Sequence, residues 1–155
     1  TIIDIGKKII ESKKETYVSV ILLDIDNLKA VNDSLGFHVG DQVLRDVANL
    51  GGSTLRKGAW FGRHGGKQFI AILPCTNKVQ ASRVAERMLS NIKGHDWEQY
   101  GIETTITSSV GVTSANSRTN TSFEKLVIEA DNAMSFAKSH GKNVVIHAHQ
   151  IPTTN

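Results

Sequence analysis

The sequence predicts an α/β chain of the α+β kind, with a mixed, mostly antiparallel sheet and helices on its faces. Two observations carry this. Segments of strand and helix periodicity interleave along the chain, so both element types share a core. Two strand-like runs, residues 60–64 and 68–73, sit on either side of Gly65-Gly66 and read as a hairpin. A hairpin pairs its strands antiparallel, which argues against a wholly parallel, doubly wound sheet.

The elements follow in order. Ile2, Ile5, Ile9 and Ile10 recur at helical spacing among lysines and glutamates and predict an opening helix. Residues 17–25 are rich in β-branched and apolar side chains and read as a buried strand ending in the acidic pair Asp24 and Asp26. A short helix over residues 27–35 is stopped by Gly36. The next helix carries Val43, Leu44, Val47 and Ala48 on one face and should break or fray at Gly51-Gly52, since each glycine costs about 1 kcal/mol against alanine. After the hairpin, Ala81, Val84, Ala85, Met88, Leu89 and Ile92 form a regular amphipathic stripe. Residues 102–112 alternate Thr and Ser with Ile and Val, which is strand chemistry, and residues 118–122 read as a polar loop. Leu126, Val127, Ala130, Ala133, Met134 and Ala137 mark a last helix closed by Gly141, and residues 144–146 a last strand. Residues 1–16 thus lead in, residues 17–150 form the domain and residues 151–155 a tail.

A chain of 155 residues and 16.9 kDa is the size of one domain and long enough to bury an ordinary core without staples. Its 39% apolar and 21% charged residues exclude a disordered chain. The net charge of +3 suits an anionic ligand such as a nucleotide, but no run of Lys or Arg resembles a nucleic-acid arm. The longest apolar run, residues 18–23, is far too short to span a bilayer, and residues 1–8 lack the order of a signal peptide. Because the chain opens inside a helix, it reads as part of a longer, even membrane-anchored, protein. Cys75 is the only cysteine; following an apolar run, it reads as a quiet thiol near the core in a reducing, cytosolic setting. His147 and His149 alternate along one strand and read as surface residues, since two ligands make no closed metal site.

Three stretches together resemble the GGDEF family of diguanylate cyclases. The first is Asp24-Ile25-Asp26-Asn27-Leu28-Lys29, followed by Asn32-Asp33-Ser34-Leu35-Gly36 and Gly40-Asp41. The second is Arg63-His64-Gly65-Gly66-Lys67-Gln68-Phe69, in the place of the family signature. The third runs from Ala130-Asp131-Asn132-Ala133-Met134 to Ala137-Lys138-Ser139-His140-Gly141-Lys142-Asn143, and residues 107–112 look like the family's Thr-x-Ser-x-Gly strand. The resemblance implies a central five-stranded sheet wrapped by helices, similar to class III nucleotidyl cyclases and polymerase palms. It also implies a bacterial signalling role. In active members two domains face each other, each holding one GTP. The 3′-hydroxyl of one attacks the α-phosphate of the other, giving cyclic di-GMP after two steps.

Carried over by resemblance, Asp24, the backbone of Ile25 and, as a helper, Asp26 hold Mg²⁺ when nucleotide binds. Asn32 and Asp41 read guanine, although Asp41 would also serve as a helix cap before Val43 and Leu44. Lys29, Lys138 and Lys142 offer cations to the phosphates. Lys67 departs from the pattern, for the matching family residue is an Asp or Glu that binds metal. An ammonium has no lone pair to give a metal, and beside Asp24 it forms an ion pair in the space a metal would fill. Gln68 replaces the second acid of the signature. Arg56 keeps the arginine of the family's product-inhibition site, while Ala59 loses its carboxylate. Phe37 takes the place of a common histidine, Leu28 that of an aromatic, and an Asp-x-Leu-Thr stretch is absent from residues 1–16.

The expectation is a degenerate GGDEF domain without cyclase activity, serving cyclic di-GMP signalling as a regulatory GTP-binding or dimerising module. Its partners would be GTP, a second copy, or another GGDEF or EAL (phosphodiesterase) domain, with no nucleic acid or membrane contact. The alternatives are an active cyclase with rearranged metal ligands and a purely structural interaction domain.

Overall fold

The computed structural model describes residues 2–12, 17–116 and 121–152. Its elements are α1 (Ile2–Ser12), β1 (Tyr17–Ile25), α2 (Leu28–Leu35), α3 (Phe37–Thr54), β2 (Trp60–Gly65), β3 (Gln68–Pro74), α4 (Lys78–Lys93), β4 (Ser108–Asn116), α5 (Phe123–Ser139) and β5 (Val144–His147). Short 3₁₀ turns cover Glu98–Tyr100 and Ala148–Gln150. The expected loop at 118–120 and the lead-in at 13–16 lie outside the described residues. No helix among the described residues is long and apolar enough to cross a membrane.

The five strands lie in the order β2-β3-β1-β4-β5. All neighbours are antiparallel except β4 and β5, which α5 connects as a crossover. The expected mostly antiparallel sheet is therefore present. Strand parity divides its interior in two. Ile21, Leu23 and Ile25 of β1, with Phe69, Ala71 and Leu73 of β3, face the core under α2, α3 and α4. Val18, Val20 and Leu22, with Ile70 and Ile72, face the core under α1 and α5. A strand covered on both faces needs apolar residues at every position, which is why residues 18–23 read as an almost unbroken run. Ser19 interrupts it at no loss, donating to the Thr76 carbonyl (2.8 Å) and bonding to Ser114 Oγ (2.7 Å).

Four expectations need correction. First, α3 runs through Gly51-Gly52 to Thr54. A side chain at Gly51 would collide with the Phe61 ring, so the glycine admits β2 close to the helix, and tertiary packing outweighs the weak propensity. Second, β4 begins at Ser108, not at residue 102. Its partner β1 ends at Ile25, where Asn27 adopts φ 59, so the preceding residues have no strand to pair with. Ile102 and Ile106 are buried as anchors of a loop instead.

Third, Cys75 is exposed: just past the end of β3 the chain turns at φ 53 and carries the thiol outward. Fourth, His147 is buried at the end of β5, while His149 lies in the following 3₁₀ turn, its Nδ1 2.7 Å from that of His147. Burial first, then the charges of His149 and Lys78, push the His147 imidazole down to about 4. The native state thus binds fewer protons there than the unfolded chain between pH 6.5 and 4. Its stability contribution is complete above pH 6.5 and is lost as pH falls toward 4. An NMR titration of the histidine resonances should show one midpoint near 4; a midpoint near 6.5 for His147 would refute this burial.

Candidate functional site

The end of β1 meets the tip of the β2–β3 hairpin and the last turns of α5. Asp24 pairs in register with Gln68 of β3 and Ser109 of β4 and is fully buried. Its parity turns the side chain toward α5, where Lys138 forms an ion pair with Oδ2. Lys67 Nζ approaches the other oxygen, Oδ1, at 3.7 Å. Neither oxygen accepts a hydrogen bond of regular geometry among the described residues, so the two ammonium groups are what compensates this buried charge.

The hairpin tip is held from two sides. The Ile25 N–H donates to the Lys67 carbonyl at 3.3 Å. The Arg63 guanidinium donates to the Gly66 carbonyl while its carbon lies 5.5 Å from the centre of the Phe69 ring. Gly65 at φ 125 supplies a turn conformation that other residues rarely adopt. Sequence and fold together therefore deliver the side chain of residue 67 to Asp24.

Asp26 is committed elsewhere. Its Oδ1 accepts from Ser109 Oγ (2.6 Å), and its Oδ2 accepts from Thr107 Oγ1 (2.8 Å) and the Asn143 N–H (3.1 Å). This carboxylate joins the end of β1 to β4 and to the turn before β5. In that turn Lys142 and Asn143 both have positive φ, and Lys142 Nζ donates to Asn27 Oδ1 at 3.2 Å.

Asn32 and Asp41 sit on the α2–α3 pair. The Asn32 Oδ1 is buried and without a hydrogen-bond partner among the described residues, and it rests against the bare backbone of Gly40. A Cβ at Gly40 would lie 1.7 Å from that oxygen, so any other residue there would force the Asn32 amide to turn away. Asp41 follows directly and is exposed. It lies inside α3, whose N-cap is Gly36, so the helix-cap role is not realised. Lys29 is exposed on α2, three residues before Asn32 and on the same face.

Arg56 and Ala59 lie at the other end of β3, roughly 20 Å along the strand from Gln68. The Arg56 guanidinium donates to the carbonyls of Pro74 (2.6 Å) and Cys75 (3.2 Å) and to Thr76 Oγ1 (3.2 Å). The Ala59 N–H closes the turn on the Arg56 carbonyl at 3.2 Å. A cavity of about 420 Å³ lined by Arg56 is also lined by Arg83 and Arg87, which the sequence reading did not single out, although their i,i+4 spacing on α4 was the available signal.

Also unforeseen is a carboxylate clasp on α3. Asp46 accepts from Gln42 Nε2 (2.8 Å), Tyr100 OH (2.6 Å) and His95 Nε2 (2.8 Å), joining α3 to the segment after α4. Burial alone would raise its pKa, but the hydrogen bonds from Tyr100, Gln42 and His95 together outweigh it and hold the carboxyl below its usual range.

The donor set at Asp24 does not fit a divalent cation. No group of three or more His, Cys, Asp or Glu among the described residues is arranged to hold a metal. Asp24 faces two ammonium groups, Asp26 is filled by three protein donors, and Lys67 has no lone pair.

The sheet order, the crossover through α5 and the acidic end of the central strand define a nucleotidyl-cyclase-like α+β domain. A family model described as "Diguanylate cyclase, GGDEF domain" matches residues 5–144, and the chain belongs to this family. It is 35% identical over 139 residues to the probable diguanylate cyclase DgcT of Escherichia coli K12, covering 87% of this chain and 30% of that protein. It is 36% identical over 131 residues to the response regulator PleD of Caulobacter vibrioides, covering 83% of this chain and 29% of that protein. The chain thus spans about a third of the length of these curated relatives. Among solved structures, the active GGEEF domain of a diguanylate cyclase from Vibrio cholerae superposes with a TM-score of 0.87 at 28% identity, covering 96% of this chain and 95% of that one.

Proposed function

We propose that this domain serves cyclic di-GMP signalling as a GGDEF module that holds a guanine nucleotide without cyclising it, acting as a regulatory or dimerising partner. Cyclases of this family generally use Mg²⁺. In such an enzyme, metal held by carboxylates neutralises the charge that builds on the α-phosphate during attack by the 3′-hydroxyl. The single observation behind the loss of cyclisation is the ion pairing of Lys67 and Lys138 with Asp24, which occupies that corner with ammonium groups. What supports retained nucleotide binding is the half-buried Asn32 amide on α2 next to the exposed carboxylate of Asp41. The amide and the carboxylate match the donor and acceptor edge of guanine. At the second anion position, Ala59 offers no carboxylate and Arg56 is engaged by backbone carbonyls, which supports weak cyclic di-GMP binding there.

The test is chromatography of products from GTP and Mg²⁺, with the chain fused to a dimerising helix pair. The wild type should yield no cyclic di-GMP, and Lys67→Asp should yield product by returning a metal-binding carboxylate to the hairpin. Cyclic di-GMP formed by the wild type would overturn the reading in favour of an active cyclase.

A further inference from the structure

We propose that Lys67 and Lys138 together stand in for the divalent ion, so that the domain binds the phosphates of a nucleoside triphosphate without Mg²⁺. This deepens the nucleotide-binding reading above and rests on it.

Charge and donor counting lead there. The two ammonium groups bring to Asp24 the same positive charge that one divalent cation would. Asp24 is wholly buried, whereas the Lys67 and Lys138 side chains are 46% and 33% exposed. Each ammonium has three N–H donors. At 3.7 Å the Lys67 Nζ is held to Asp24 by charge and not by a hydrogen bond, and both lysine side chains keep exposed surface from which to donate to a ligand. The buried carboxylate thus works as a counter-charge that fixes both lysines, and with Asp26 counted the four charges balance before any further lysine is added. Lys142, held at the same end of the sheet through Asn27, and Lys29 on α2 then tip the balance to positive.

Phosphate oxygens accept well from such groups, and the interaction is stronger away from bulk water. A cation arriving with the nucleotide would meet two ammonium groups at short range and find no free carboxylate, because the three donors on Asp26 use that side chain. A triphosphate free of metal also carries more negative charge than its Mg²⁺ complex. The site therefore favours the metal-free form.

The test is calorimetric titration of the 155-residue chain with GTP at fixed ionic strength, once in EDTA and once in excess Mg²⁺. The wild type should bind in EDTA as tightly as in Mg²⁺, to within about threefold, or more tightly. Lys67→Glu should weaken binding in EDTA by about tenfold or more, and Mg²⁺ should restore part of it. Circular dichroism checks that the variant folds; if it does not, Lys67→Gln, which removes the charge without reversing it, should weaken EDTA binding in the same direction. Wild-type binding about tenfold weaker in EDTA than in Mg²⁺ would overturn the inference and leave nucleotide binding standing. Unchanged EDTA affinity in the folded Lys67 variant would also overturn it. No heat in either medium would remove nucleotide binding and this inference together.

Discussion

Replacing Asp46 by alanine is expected to destabilise the fold by about 3 kcal/mol, because three donors lose a charged acceptor at once. For a domain of this size that lowers the melting temperature by roughly 10 °C, readable by calorimetry. The carboxylate is nearly buried, and Gln42, His95 and Tyr100 converge on it from two separate stretches of chain. Alanine would leave polar groups from both stretches without their partner, and the segment after α4 would lose its attachment to α3. The effect should depend on pH in a defined way. The Asp46 carboxyl is held below its ordinary value of 3.8, so its contribution is complete above that pH and fades as pH falls through the lower folded value. Tyr100 sets the alkaline limit. Its hydrogen bond to Asp46, then burial, raise the phenol above its ordinary 10, so that contribution is present below pH 10 and lost as pH rises past the folded value. The gap between wild type and variant should therefore be widest between those limits. A gap that does not narrow in acid would show that the clasp adds nothing by its charge.

Gly111→Ala should be at least as damaging, at about 3 kcal/mol. A Cβ there would lie 2.1 Å from the Ala130 carbonyl oxygen and 2.4 Å from the Met134 nitrogen, both backbone atoms of α5. Backbone cannot rotate aside, so the whole helix must lift from β4. Lys138 rides on that helix, and the displacement should weaken GTP binding as well as stability. Gly52→Ala is the matched control. A Cβ at Gly52 meets nothing within 4 Å and sits in the last turn of α3, so the same change should stabilise by about 0.5 kcal/mol. Urea denaturation of both variants decides the matter; equal midpoints would mean that α5 tolerates the intrusion.

Local pattern made much of this architecture readable. β1 has the bounds its composition indicated, since a strand buried on both faces leaves a run of apolar residues with few interpretations. The hairpin was visible from Gly65-Gly66 between two strand-like runs, and α4 from its regular stripe. The start of β4 was not, because the alternation over residues 102–107 is equally that of a loop whose isoleucines plug the core. Only the length of β1 separates the two. Gly51 looked like a helix breaker because its packing partner, Phe61, lies beyond the helix. At the site, the pairing of Lys67 with Asp24 was legible only through the family resemblance, whereas the contact from Lys138 depends on how α5 crosses the sheet. The Asp46 clasp joins residues 49 and 54 positions apart and left no local trace.

The anchoring of the hairpin tip has a consequence for how such domains diverge. Because the Ile25 amide fixes the main chain at position 67, the peptide there is held in place whichever side chain it bears. A single codon change can then exchange an ammonium for a carboxylate on an unmoved scaffold. Under the function proposed above, one residue on that fixed peptide would then decide between metal binding and cation display while the fold around it stays the same.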